Sequence, residues 1–209
     1  MAHFCERRAC YVCTATNKRL KGLAKHLHER YWPVYRPPRG FGRRVGPAGL
    51  RAGKQLDESV SLILDGGDPG NRSWHGRLAK KVLALLRRGG CHIMRSQVVV
   101  WSEARGMATA VDILGRSRDR KTVYILELKY CSHASENLRR VYKQAHPETP
   151  RLRGMRLANS LYNHHQMQLR ETVRLFKANF DLPQGTEVVT GIIVACGDGG
   201  VLFYKLRNQ

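Results

Sequence analysis

The sequence predicts an α/β protein: a mixed central sheet flanked by helices, preceded by a basic extension. Three observations carry this. Segments with apolar residues every three or four positions are interspersed with shorter runs of Val, Ile, Leu and Tyr. Their order is helix, helix, three strands, helix, helix, two strands. The hydrophobic share, 42% of 209 residues, is enough for one sizeable core.

Taken in order, residues 1–54 stand apart, with thirteen Lys/Arg against the two acids Glu6 and Glu29. Cys10-x₂-Cys13 is followed by His26, with Cys5 and His28 nearby. The first three positions resemble a C₂H₂ zinc finger, but the second His follows after one residue instead of three to five. Two His at i, i+2 point away from each other on a helix, so Cys5 is the candidate fourth ligand. The segment is therefore either a structural zinc site or a basic arm with incidental cysteines. Tyr31-Trp32-Pro33 ends any helix here, and Gly, Pro and Arg dominate from Arg39 to Gly53. A domain boundary is expected at 52/53, between arm and core.

Helices are expected over 54–64, with Asp57 and Glu58 in the first turn, and from Ser73 to about Arg88, with Ser73 as the cap. Strands are expected over 93–102, 107–114 and 122–130, joined by turns at Ala104-Arg105-Gly106 and 115–120. A short basic helix over 135–144 and a long one over 157–180 follow. Two strands, 187–195 and 201–206, close the chain.

Charge and composition narrow the function. A formal net charge of +21 favours a polyanionic partner through counterion release. No run of about 18 apolar residues exists, so no membrane-spanning helix is expected. The N-terminus lacks the apolar core of a signal peptide. Six scattered cysteines do not make a secreted disulfide scaffold, so a reducing interior, where DNA is, is expected. A homo-oligomer stays open.

One stretch carries the chemistry. Asp112 lies in Ala110-Val111-Asp112-Ile113-Leu114, and fourteen residues separate it from Glu127-Leu128-Lys129 in a second apolar run. Alternation puts Glu127 and Lys129 on one face and Leu126 and Leu128 on the other. A hairpin brings Asp112 beside the pair. Two carboxylates hold a hard cation such as Mg²⁺, and an adjacent amine orients or deprotonates a water. Unpaired charges in so apolar a setting are costly, which argues against an ordinary surface cluster.

Asp112 with Glu127-Leu128-Lys129 resembles the PD-(D/E)xK nuclease superfamily. The order helix, three strands, helix, two strands is similar to that superfamily's restriction endonuclease-like core, which residues 53–209 would form. The resemblance implies a Mg²⁺- or Mn²⁺-dependent nuclease. Asp112 and Glu127 would bind metal, the Leu128 carbonyl would complete the shell, and Lys129 would act on the water. Gly53-x₃-Asp57 resembles the start of the first core helix in several branches, where an acid assists the metal. Here that acid is Asp57 or Glu58. Tyr162-x₃-Gln166-x-Gln168 resembles the lambda exonuclease-like branch, implying Gln166 at the site. Arg170 stands where recombination nucleases of that branch carry Tyr.

The expectation is thus a DNA nuclease of recombination, repair or viral and mobile-element DNA processing, held by phosphate contacts, with exonuclease preferred. The expected nucleic-acid contacts are Arg39, Arg43, Arg44, Arg51, Lys54, Arg139, Arg140, Gln168 and Arg170. The alternatives are a structure-specific or element-encoded endonuclease, resolvase-like, and a basic nucleic-acid-binding protein that does not cut.

Overall fold

The computed structural model describes residues 1–5, 10–32, 47–70, 73–146 and 149–206. Among them the chain is an α/β protein with a mixed eight-stranded sheet and five helices. Strands β1 (Ala2–Cys5), β2 (Cys10–Cys13) and β3 (Arg19–Gly22) precede helix α1 (Leu23–Tyr31). Helices α2 (Pro47–Leu64) and α3 (Trp74–Arg88) lead to β4 (Ile93–Ser102), β5 (Met107–Arg116) and β6 (Thr122–Cys131). Then come α4 (Ser135–Lys143), α5 (Leu161–Asn179), β7 (Glu187–Cys196) and β8 (Val201–Leu206).

From residue 73 onward the elements fall close to expectation. Ser73 caps α3 by accepting from the Gly76 amide at 3.2 Å, an interaction worth about 1 kcal/mol. Gly106, at φ 63°, supplies the left-handed backbone that the β4–β5 turn requires. The third strand follows a turn closed by Asp119, which accepts from the Lys121 amide at 3.1 Å. The long helix starts at Leu161 instead of 157, because Ser160 accepts from the Asn163 amide and fixes its first turn.

The N-terminal third differs from the expected arm. Its first strands form an antiparallel set, β1 with β2 and β2 with β3. β3 then joins β5 in parallel, Lys21 opposite Met107 and Gly22 opposite Ala108. Leu23 and Leu27 of α1 are buried in the main core. Shortness hid these strands: β1 and β2 carry no Lys or Arg, β3 alternates Arg19 and Lys21 with Leu20, and only Cys10, Val12, Cys13 and Leu20 are buried. Helix α2 also begins seven residues before the expected start. Pro47 suits a first helical turn. Gly53, read as part of a linker, sits in the helix where a Cβ would lie 3.8 Å from Tyr130 Cβ.

Two cores sandwich the sheet. Ile113, Leu126, Leu128 and Ile193 pack on α2 and α3. Val123, Ile125, Ile192 and Val194 pack with α1, α4 and α5. The face assigned to Leu126 and Leu128 by alternation is therefore the α2–α3 face, and Glu127 and Lys129 belong to the α4–α5 side.

The topology opens a fork at β5. β4 pairs along one whole edge of β5. The other edge is shared: β3 takes residues 107–108 and β6 takes 113–116. β6 leaves β5 after the Ile113–Leu126 pair, yet stays on β7 through Cys131. Residues 109–112 lie in the crotch of this fork. On β4, the register gap opposite Asp112 holds Gln97, a non-glycine residue at φ 53°. Such backbone is uncommon outside glycine, and here it marks the bend of the β4–β5 pair beside the fork.

Candidate active site

The next pair after Ile113–Leu126 sets Asp112 opposite Glu127, at the point where the strands part. Since opposed residues share a face, both carboxylates project together. Asp112 replaces the missing strand partner: its Oδ2 accepts from the Leu128 amide at 2.8 Å. That bond satisfies a main-chain donor which the parting of the strands would otherwise orphan. Lys129, two residues past Glu127, pairs with Glu127 Oε1 and stands 4.0 Å from Asp112 Oδ2.

Glu127 is 1% exposed, so its charge must be answered inside the protein. Besides Lys129, Gln168 of α5 donates from Nε2 to Glu127 Oε1 at 2.6 Å. A hydrogen bond to a charged group of this kind contributes about 1.5–3 kcal/mol. Burial, then the charge of Asp112, still push Glu127 upward from the ordinary carboxylate range, against the pull of Lys129. Burial works against the Lys129 ammonium. Glu127, Asp112 and Asp57 together outweigh it and hold Lys129 above the ordinary lysine range.

Helix α2, from the opposite layer, separates the two acids that the sequence left as alternatives. Asp57 is half-buried and pushed up to about 7, first by burial and next by the charge of Asp112, while Lys129 pulls it down. Glu58 instead faces outward and pairs with Lys54 at 3.6 Å, both side chains largely exposed. Such a pair contributes at most about 1 kcal/mol. Leu56 and Val60, buried on α2, fix which side of the helix meets the sheet.

Of the two glutamines on α5, Gln168 bonds Glu127; Gln166 is half-buried two positions back, about 200° around the helix. Gln168, expected as a nucleic-acid contact, is thus part of the acidic centre. Arg170 is half-buried further along α5, Arg140 is exposed on α4, and Arg51 is exposed on α2. Arg39, Arg43 and Arg44 lie outside the described residues, as does the side chain of Arg139.

The candidate zinc ligands do not converge. Among the described residues, no three His, Cys, Asp or Glu side chains are grouped to hold a metal ion. Cys13 packs in a small core with Leu20 and Ala108, and Cys10 is buried opposite Cys5 on β1. His26 lies on α1 with its pKa held below the ordinary histidine range, by burial first and then by Lys21, Arg30 and Arg105. A cationic surrounding of that kind repels a dication.

Sequence reading missed two further neighbours of the acids. Tyr11, on β2, has its hydroxyl pKa raised by burial and by the charges of Asp112 and Glu127, while a hydrogen bond from the Ala110 main chain works the other way. Nothing local in Cys10-Tyr11-Val12-Cys13 signals this, because the β3–β5 pairing brings it there. His165 lies three residues before Gln168, hence on the same face of α5. That spacing was legible.

A hard divalent cation fits this donor set. Mg²⁺ is held by one or two carboxylates, completed by waters and substrate phosphates, so a cage of three acids is not required. Burial first, and then repulsion from Asp112, raise Glu127 and Asp57, and a bound cation relieves that repulsion. Fold and site together define an α/β protein with a buried acid–acid–lysine centre. No protein-family model matches the chain, and no curated protein matches its sequence. No described helix is long and apolar enough to cross a membrane.

Proposed function

We propose that this chain is a metal-dependent DNA nuclease with a restriction endonuclease-like core. The observation that carries the reading is the juxtaposition of Asp112, Glu127 and Lys129 where β6 parts from β5. A fold needs no such cluster for stability. Buried ion pairs roughly break even against apolar side chains, and here two acids are set against each other besides.

Asp112 and Glu127 would hold Mg²⁺ or Mn²⁺, with Asp57 and the Leu128 carbonyl as further donors. When bound, the metal neutralises charge at the phosphorus and lowers the pKa of a water. Lys129 is kept as an ammonium by the surrounding acids. It therefore acts as a donor that orients the water and offsets phosphate charge, and not as a base. Gln168 holds the Glu127 carboxylate in place without adding charge. The basic composition supplies phosphate contacts along the substrate, which position the backbone without reading sequence. Digestion from duplex ends is the preferred mode.

The test is plasmid and linear duplex incubated with the protein and Mg²⁺, with EDTA as control. Asp112→Ala, Glu127→Ala and Lys129→Ala should each abolish cleavage while leaving a folded protein. Undiminished cutting by all three variants would falsify the assignment. A wild-type protein that binds DNA but never cuts it, with any divalent metal, would make it a binding protein.

A further inference from the structure

Over the acidic centre, the α4–α5 contact holds a hydrogen-bonded pair with no part in the scheme above. Tyr142 is 2% exposed and stands one turn after Leu138, so both anchor the apolar side of an otherwise basic helix. Its hydroxyl lies 2.5 Å from Nδ1 of His165. The rings are 5.6 Å apart, centre to centre. His165 and Gln168 share one face of α5, and Gln168 is bonded to Glu127. The pair also senses the centre electrically. Burial, then the charge of Lys129, hold His165 well below the ordinary histidine range. Burial, then the charge of Glu127, raise the Tyr142 hydroxyl. The tyrosine thus keeps its proton and the imidazole is neutral. In that state O–H donates to Nδ1, and the ring proton sits on Nε2.

We infer that Tyr142 and His165 are a positioning pair for the phosphodiester chemistry: by occupying the lone pair of His165, the Tyr142 hydroxyl leaves Lys129 with only the acids to bond. The inference rests on the nuclease reading. A neutral imidazole with a free lone pair is a strong acceptor. On the α5 face whose Gln168 bonds the Glu127 that pairs with Lys129, and within reach of the Lys129 charge, such an acceptor would compete with Glu127 and Asp112 for the ammonium and draw it off the water. With the lone pair filled from α4, that competition is removed, and the same bond fixes α4 against the helix that carries Gln168.

Tyr142→Phe deletes one oxygen and keeps the ring, so the fold should survive. The expected result is a kcat lowered about 10- to 100-fold, with KM within about twofold. The double variant Tyr142→Phe/His165→Met lacks the competing lone pair and should recover activity relative to Tyr142→Phe alone. A merely structural role predicts the reverse, a further loss. Nitrogen NMR of the histidine rings gives a readout independent of cleavage. His165 should carry its proton on Nε2 in the wild type and lose that preference in Tyr142→Phe. Unchanged kcat in Tyr142→Phe, no recovery in the double variant, or a proton on Nδ1 overturns the inference while leaving an active nuclease. An inactive wild type overturns the nuclease reading itself.

Discussion

Replacing Asp57 with Asn should stabilise the protein, and more so as the pH rises. Burial and the neighbouring Asp112 raise Asp57 from 3.8 to about 7. A raised folded-state pKa means that the folded protein holds this proton more tightly than the unfolded chain does. The resulting stability is full below 3.8 and is lost as the pH climbs through about 7. Above that range, the wild type carries a charge that the fold disfavours and the amide does not. At ~1.4 kcal/mol per pKa unit, a shift of about three units sets a ceiling of ~4 kcal/mol. Asp57 is only partly buried, and screening by solvent takes about half of that. The expected gain for Asp57→Asn is therefore ~2 kcal/mol near pH ~8.5, falling below ~1 kcal/mol near pH ~5. Urea denaturation in the presence of a chelator, followed by tryptophan fluorescence, measures it. Nuclease activity should fall in the same variant, since the centre loses a carboxylate. Equal stabilities at both pH values, or a variant weaker than wild type at the higher one, would show that Asp57 is not held among the acids.

The two glutamines of α5 should separate cleanly: Gln168→Ala should lower kcat about 10- to 100-fold by freeing Glu127, whereas Gln166→Ala should leave kcat within about threefold. Equal effects would mean that the Gln168–Glu127 bond has no role. Mg²⁺ or Mn²⁺ should support cutting, and Ca²⁺ should permit DNA binding with little turnover, because its looser oxygen shell positions water less well; full activity in excess EDTA refutes the metal. Linear duplex should be degraded in preference to a covalently closed circle or a four-way junction, whereas prompt nicking of the circle would make the protein an endonuclease and paired cuts at the junction a resolvase. Elemental analysis of chelator-free protein should find no stoichiometric zinc, given the scatter of Cys5, Cys10, Cys13, His26 and His28; one zinc per chain would place ligands beyond the described residues.

The α/β core and its acid–acid–lysine cluster were legible because their signals are local. Alternation in Val123–Lys129 put two charges among apolar neighbours, and the period of α3 and its Ser73 cap needed no tertiary information. The choice between Asp57 and Glu58 was not local. Adjacent helical positions differ by about 100° in direction, and only the packing of Leu56 and Val60 decides which faces the sheet. Gln166 and Gln168 differ by twice that, and the same argument applies. The N-terminal strands were hidden for another reason. Each is only four residues long, too short for alternation to stand out, and β3 is interrupted by Arg19 and Lys21. What fixes β3, and through it β2 and β1, in the main sheet is a partner far along the chain, Met107 and Ala108 of β5.

That pairing has a consequence for how the chain is made. On a ribosome, β3 is finished long before β5 exists, and a parallel pair cannot form until its partner has been synthesised. At about 5–20 residues per second, the growing chain carries β1–β3 unpaired with the main sheet for several seconds. Closing so long a loop is entropically expensive and slow. Arg19 and Lys21 on β3, the strand whose edge waits for β5, then have a use before the fold is complete. Their charge keeps that exposed edge in solution and slow to aggregate until the edge of β5 is there to receive it.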